Sequence, residues 1–178
     1  MIEVELKAHI EDVAAVEQRV ASFSKLLRRV DKHDSYWHAS GWEANRGARG
    51  FRLRSEGTAY VVTFKTKRIE NDMEVNRERE FEISDPDAFR EFVLRVGCEP
   101  YYTKRKTGIA YEYNGMTLEI LKVERLGNFL EIERLMDTDE PNAVAATRKE
   151  LLSALALAGV PESAIERRTY SEMILKGR

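Results

Sequence analysis

The segment Glu3-Val4-Glu5-Leu6-Lys7 alternates charged and apolar residues. In a β-strand successive side chains point to opposite faces, so Glu3, Glu5 and Lys7 share one face while Ile2, Val4 and Leu6 share the other. Any half-exposed strand of an antiparallel sheet shows this pattern. Its meaning depends on whether other strands repeat it with complementary charges. They do: Arg52 and Arg54 oppose Phe51 and Leu53, and Lys65 and Lys67 oppose Phe64. Further along, Glu80 and Glu82 oppose Phe81 and Ile83, Lys104 lies in phase with Lys106, Glu119 opposes Leu118 and Ile120, and Glu131 and Glu133 oppose Leu130 and Ile132.

Strand-like runs fall at about 2–8, 50–55, 59–67, 77–83, 99–106, 108–114, 116–122 and 128–134. The turn signals Glu56-Gly57-Thr58 and Asn114-Gly115 join neighbours as antiparallel hairpins. Helical spacing links Val13, Val16, Val20, Phe23, Leu27 and Val30 into one long amphipathic helix. A second helix opens at Ser84-Asp85-Pro86 and stops at Gly97. A third opens at Asp139-Glu140-Pro141 and closes at Gly159, and a short one is expected within 165–174. The class is α+β. Three amphipathic helices need an apolar sheet face to cover, and a closed antiparallel barrel offers that face on its outside. The charged faces then turn inward.

A barrel of about eight strands has room for side chains or one small ligand. Charges held inside cost several kcal/mol each if unpaired, so the near balance of acidic and basic residues must be arranged around something. Carboxylates at Glu-x-Glu spacing suit a hard divalent cation such as Mg²⁺ or Mn²⁺, shared with substrate phosphates. Arginine grips phosphate with a planar fork, and lysine acts as a point charge.

Composition narrows the alternatives. Among 178 residues, 29 Lys and Arg stand against 31 Asp and Glu, so no charge excess points to nucleic acid or a membrane surface. This length is read as one domain spanning 1–178. No apolar run of spanning length occurs, and Met1 is followed by Glu3 and Glu5 rather than by a signal-like segment, so a cytoplasmic protein is expected. The lone Cys98 excludes an internal disulfide and is read as a small buried thiol. His9, His33 and His38 share no ligand spacing. Gly41, Gly47 and Gly50 mark a loop over 40–50, and Trp37 with Trp42 and Tyr101 with Tyr102 are candidates for stacking on a base.

Six motifs in order make the sequence resemble the CYTH superfamily, the triphosphate tunnel enzymes that include class IV adenylyl cyclase and thiamine triphosphatase. They are Glu3-x-Glu5-x-Lys7, Arg52-x-Arg54, Thr63-x-Lys65, Arg79-Glu80-Phe81-Glu82, the late segment Leu126-Gly127-Asn128-Phe129-Leu130-Glu131-Ile132-Glu133, and Arg168-Thr169-Tyr170-Ser171-Glu172. Asp34 and Tyr36 sit near a family Asp-x-Tyr position. The resemblance implies an eight-stranded tunnel in which Glu3, Glu5 and Glu131, backed by Glu80, Glu82 and Glu133, hold metal. It implies that Lys7, Arg52, Arg54, Lys65, Lys67, Lys104 and Lys106 hold the triphosphate, with Glu3, Glu5 and Lys7 in the catalytic core. Two positions depart from the pattern. Leu121 stands where cyclase-like members carry Asp, with Glu119 as a candidate replacement, and the Lys-x-Arg element reads Lys104-Arg105-Lys106.

The resemblance favours a class IV adenylyl cyclase, in which the ribose 3′-hydroxyl of ATP attacks the α-phosphate and pyrophosphate leaves. A triphosphatase acting on inorganic or thiamine triphosphate uses the same groups, since phosphoryl transfer rests on positioning and charge stabilisation. A non-catalytic polyphosphate or nucleotide sensor is the third reading. A homodimer is compatible with each.

Overall fold

A computed structural model describes residues 1–39, 50–70 and 73–176. Eight strands form a closed antiparallel barrel: β1 (Ile2–His9), β2 (Lys25–Ala39), β3 (Phe51–Glu56), β4 (Ala59–Glu70), β5 (Met73–Glu82), β6 (Cys98–Tyr113), β7 (Met116–Val123) and β8 (Gly127–Met136). Their order around the wall is β1-β5-β4-β3-β2-β6-β7-β8, with β8 returning to β1. The helices are α1 (Val13–Phe23), α2 (Pro86–Arg95), α3 (Pro141–Leu157) and α4 (Tyr170–Lys176), with a 3₁₀ turn at Glu162–Ala164. None of the described helices is long and apolar enough to cross a membrane. The loop expected over 40–50 falls, but for Gly50, outside the described residues.

The sequence reading and the structure agree on eight strands, through two errors that cancel. The apolar spacing from Val13 to Val30 suggests one helix, yet α1 ends at Phe23 and a 15-residue strand starts at Lys25. In β2 the inward Lys32 and Asp34 are buried while the outward Asp31 and His33 are exposed, so both faces carry charge and the period of two is invisible. Conversely, the runs at 99–106 and 108–114 are one strand, β6. Gly108 lies in its middle because β7 approaches closely there. A Cβ at Gly108 would sit 1.9 Å from the Ile120 carbonyl oxygen. Cys98 opens β6 and is half-buried.

Local signals set the remaining ends. Asp12 caps α1 by accepting from the Ala15 amide, and Asp85 caps α2 by accepting from Asp87 and Ala88, with Pro86 in the first turn. Asn114 and Gly115 both have positive φ, 50° and 73°, as a type I′ hairpin between β6 and β7 requires.

The apolar core lies outside the barrel. Val4 and Leu6 of β1, Leu118 and Ile120 of β7, and Leu130 and Ile132 of β8 pack against Val16 and Val20 of α1 and Val144, Leu151 and Leu155 of α3. The opposite faces of these strands therefore turn inward. Part of that inner wall is apolar as well: Val30, Ala110, Leu121, Val123 and Phe129 cluster there with Tyr170 of α4.

Candidate active site

Strand register brings carboxylates together on the inner wall. Glu5 lies opposite Glu133 on β8 and opposite Glu74 on β5, so its neighbours on both sides are glutamates. Like charges placed directly across a ladder destabilise a sheet unless something neutralises them. Glu74 is neutralised by Lys7, whose Nζ lies 2.5 Å from its carboxylate. Glu3, Glu5 and Glu133 form a separate trio whose ligand oxygens lie within 4.8 Å of one another. Glu3 accepts from Asn76 Nδ2 at 2.9 Å and lies 3.7 Å from Lys65.

The basic residues mostly hold partners of their own. Lys106 reaches both oxygens of Glu131 at 2.6 and 2.7 Å, and Lys32 reaches both oxygens of Glu119 at the same two distances. Arg54 grips Asp34 through two bonds of 2.7 and 3.0 Å. Lys65 pairs with Glu78 at 2.6 Å, and Arg52 donates to Thr63 at 2.8 Å and Glu80 at 3.3 Å. Lys104 is less well matched: it pairs with Asp34 at 3.5 Å, a carboxylate already held by Arg54. Lys67 pairs through its backbone with Asn76, and its side chain lies outside what is described.

The electrostatics follow from this pairing. Burial, reinforced by Glu74 and Glu3, pushes the Glu5 carboxyl well above its usual range. Burial, with Glu3, Glu119 and Glu131 nearby, pushes Glu133 up to about 7. Burial alone would raise Glu131 too, but the Lys106 ion pair outweighs it and holds Glu131 at about 2. Two of the trio thus strain against ionisation, whereas Glu131 is stably charged.

A divalent cation fits this trio. Three carboxylates converge with little compensating positive charge, and the buried Oδ1 of Asn76, whose Nδ2 contacts Glu3, has no hydrogen-bond partner among the described residues. An all-oxygen donor set of this kind suits Mg²⁺ or Mn²⁺.

The structure thus brings Glu133, rather than Glu131, together with Glu3 and Glu5. Glu80 stands apart from the trio on Arg52 and Thr63, and Glu82 is exposed. Glu119, the candidate stand-in at the Leu121 departure, is engaged by Lys32 and by Arg28 at 3.4 Å. Leu121 itself is fully buried in the inner apolar cluster. Trp37 stacks on Phe51, which alternation places on the outer face, and Trp42 lies outside the described residues. Sequence reasoning missed Lys32, Glu74, Asn76 and Glu78. Glu74 and Asn76 precede the run 77–83, and the signal that locates them is their even phase with Glu80 and Glu82.

Fold and site define a closed-barrel protein whose charged interior gathers carboxylates on one wall and ammonium and guanidinium groups around them. The chain belongs to the CYTH family: the CYTH domain matches residues 1–170. The family includes adenylyl cyclases and triphosphatases, and its triphosphate tunnel enzymes generally depend on a divalent metal. A Methanocaldococcus jannaschii protein, provisionally named an adenylate cyclase, is 27% identical over 97% of this chain and 98% of its own. The structure of the PH1819 protein from Pyrococcus horikoshii is 27% identical, with a TM-score of 0.86 over 99% of both chains. A Hippeastrum protein, described as a provisional adenylyl cyclase with a dominant triphosphatase activity, shares the fold at 16% identity. Its TM-score is 0.68 over 99% of this chain and 96% of that one.

Proposed function

We propose that this chain is a metal-dependent triphosphatase: water adds to the terminal phosphorus of a triphosphate, the bond from that phosphorus to the bridging oxygen breaks, the diphosphate part departs with that oxygen, and orthophosphate is released. The observation that carries this reading is Glu5 flanked by Glu133 and Glu74 on an inner wall that also presents Lys7, Lys65, Lys104 and Lys106. Glu3, Glu5 and Glu133 would hold Mg²⁺ or Mn²⁺, which when bound neutralises phosphate oxygens and fixes their orientation. Lys7, Arg52, Arg54, Lys65, Lys104 and Lys106 bind the phosphate chain and stabilise the charge that develops as the bridging bond breaks. Each exchanges part of an internal carboxylate contact for a phosphate contact, so no bare cation has to be buried in the free protein.

Cyclisation of ATP is the second reading, supported by the name of the Methanocaldococcus jannaschii relative. A cyclase must also seat a base and a ribose. Hydrolysis is favoured because the described rings that were candidates for base stacking are committed elsewhere. Trp37 stacks on Phe51, Tyr102 on Tyr36 at 4.2 Å, and Tyr101 meets His38 edge-on.

Incubation with Mg²⁺ or Mn²⁺ and either ATP, inorganic triphosphate or thiamine triphosphate separates the outcomes. Orthophosphate release supports the hydrolase. Cyclic AMP with pyrophosphate shifts the assignment to a cyclase, and saturable binding without turnover overturns both in favour of a sensor.

A further inference from the structure

Tyr170, the first residue of α4, enters the barrel interior from the C-terminal segment. Its ring packs edge-on against Phe129 at 5.2 Å and lies 4.7 Å from Lys106 Nζ, 4.9 Å from Lys104 Nζ and 5.4 Å from Lys7 Nζ. Three ammonium groups share one aromatic ring. Lys104 also lies 5.3 Å from the ring of Tyr36, so two tyrosines hold a cation whose nearest carboxylate is already committed to Arg54. Aromatic faces attract an ammonium without cancelling its charge, which leaves Lys104 fixed in place yet available to an anion.

The hydroxyl of Tyr170 is the second observation. The residue is 8% exposed, and its buried Oη leans on the Glu131 carboxylate without closing a hydrogen bond of good geometry among the described residues. Lys106 engages both oxygens of that carboxylate more closely, at 2.6 and 2.7 Å, and is its principal partner. A buried hydroxyl without a well-formed hydrogen bond carries a desolvation cost that a ligand can remove. Burial, together with Glu131, also holds this phenol well above its usual pKa, so it remains a protonated donor. The segment that carries it is fastened to the barrel. The Glu166 amide donates to the Lys7 carbonyl at 2.9 Å, Ala8 bridges Ile165, and the Tyr102 and Ser171 hydroxyls are hydrogen-bonded.

We propose that Tyr170 is a substrate-binding residue whose hydroxyl donates to the phosphate chain at Lys104 and Lys106, while its ring keeps those two ammonium groups aimed at the chain. This inference rests on the tunnel's being a triphosphate site. Tyr170→Phe removes the donor and keeps the ring, and Lys104→Ala removes the anion anchor.

Calorimetric titration with inorganic triphosphate, and separately with Mn²⁺ alone, tests both. The expected result for Tyr170→Phe is triphosphate affinity roughly ten- to a hundredfold weaker, as loss of a hydrogen bond to a charged group implies. Mn²⁺ affinity and the thermal midpoint stay at wild-type values, which a purely structural role would not allow. Unchanged triphosphate affinity in Tyr170→Phe, with Lys104→Ala weakened, overturns the role of Tyr170 and leaves the tunnel reading intact. Loss of Mn²⁺ binding or early melting in Tyr170→Phe makes the residue structural and overturns it as well. Absence of triphosphate binding in the wild type removes both.

Discussion

Lys106 and Glu131 form a two-oxygen ion pair on the inner wall, at 2.6 and 2.7 Å, with both side chains 8% exposed. The pair draws Glu131 out of the acidic trio that its neighbour two positions on, Glu133, joins. Glu133→Gln is therefore expected to lower Mn²⁺ affinity by at least tenfold with little loss of stability, because it removes a strained charge. Glu131→Gln is expected to keep Mn²⁺ binding and lose about 3 kcal/mol of stability, since it leaves Lys106 buried without its partner. Metal titration and chemical denaturation of the two variants check this. Equal loss of metal binding in both would refute the division.

The trio also predicts the direction of a pH effect. With its folded pKa raised to about 7, Glu133 retains a proton in the folded state that the unfolded chain releases near its ordinary value of 4.5. The folded state then binds more protons between those values, so stability falls as pH rises from about 4.5 through 7. Glu5, also raised, acts in the same direction. Thermal melts of metal-free protein should drop in midpoint across this window. Saturating Mn²⁺, which favours the ionised carboxylates, should abolish the drop. A metal-free midpoint that rises across the same window is the contrary outcome.

Glu5→Gln should abolish metal-dependent turnover while the barrel persists, because the uncharged amide relieves the repulsion from Glu74 and Glu133. Circular dichroism and a melt establish the fold, and product analysis the activity. Full activity in this variant sinks the assignment of the trio.

Gly108 tests the closeness of the wall. Its substitution by Ala places a methyl carbon 1.9 Å from the Ile120 carbonyl oxygen, and since the obstacle is backbone, β6 and β7 must separate locally. A loss of about 3 kcal/mol is expected, at the upper end of overpacking costs. Denaturant titration reads it, and a loss below about 0.5 kcal/mol, the range of neutral surface changes, contradicts it.

The C-terminal segment is anchored by Glu166, which accepts from the Arg168 amide at 2.9 Å and guanidinium at 2.9 and 2.6 Å and contacts His9 at 3.1 Å. These contacts, Arg168 foremost, hold its carboxyl at about 2. A depressed folded pKa gives stability that is present above the ordinary value of 4.5 and lost as pH falls toward 2. Glu166→Gln is expected to flatten the acid limb of the stability curve and raise hydrogen exchange across 165–174. Exchange equal to wild type there argues against the anchor.

Much of the barrel and part of its site were legible in the chain itself. The alternation at Glu3, Glu5 and Lys7, Arg52 and Arg54, and Glu131 and Glu133 marks strands with one charged face, because side-chain direction in a strand depends only on local geometry. The hairpin at Asn114-Gly115 and the caps at Asp12 and Asp85 are local for the same reason. Strand β2 escaped because charges on both faces erase the period, and β6 reads as two runs, 99–106 and 108–114, because the carbonyl that demands glycine at 108 belongs to another strand. Alternation says which residues face inward but not which of them meet. Only the register of β1 against β8 and β5 sets Glu5 between Glu133 and Glu74, and only the closed wall and the C-terminal segment fastened to it bring Glu131 to Lys106 and Tyr170 over three lysines. Those contacts join residues up to 163 positions apart, as Lys7 and Tyr170 are, and closure of the barrel decides them.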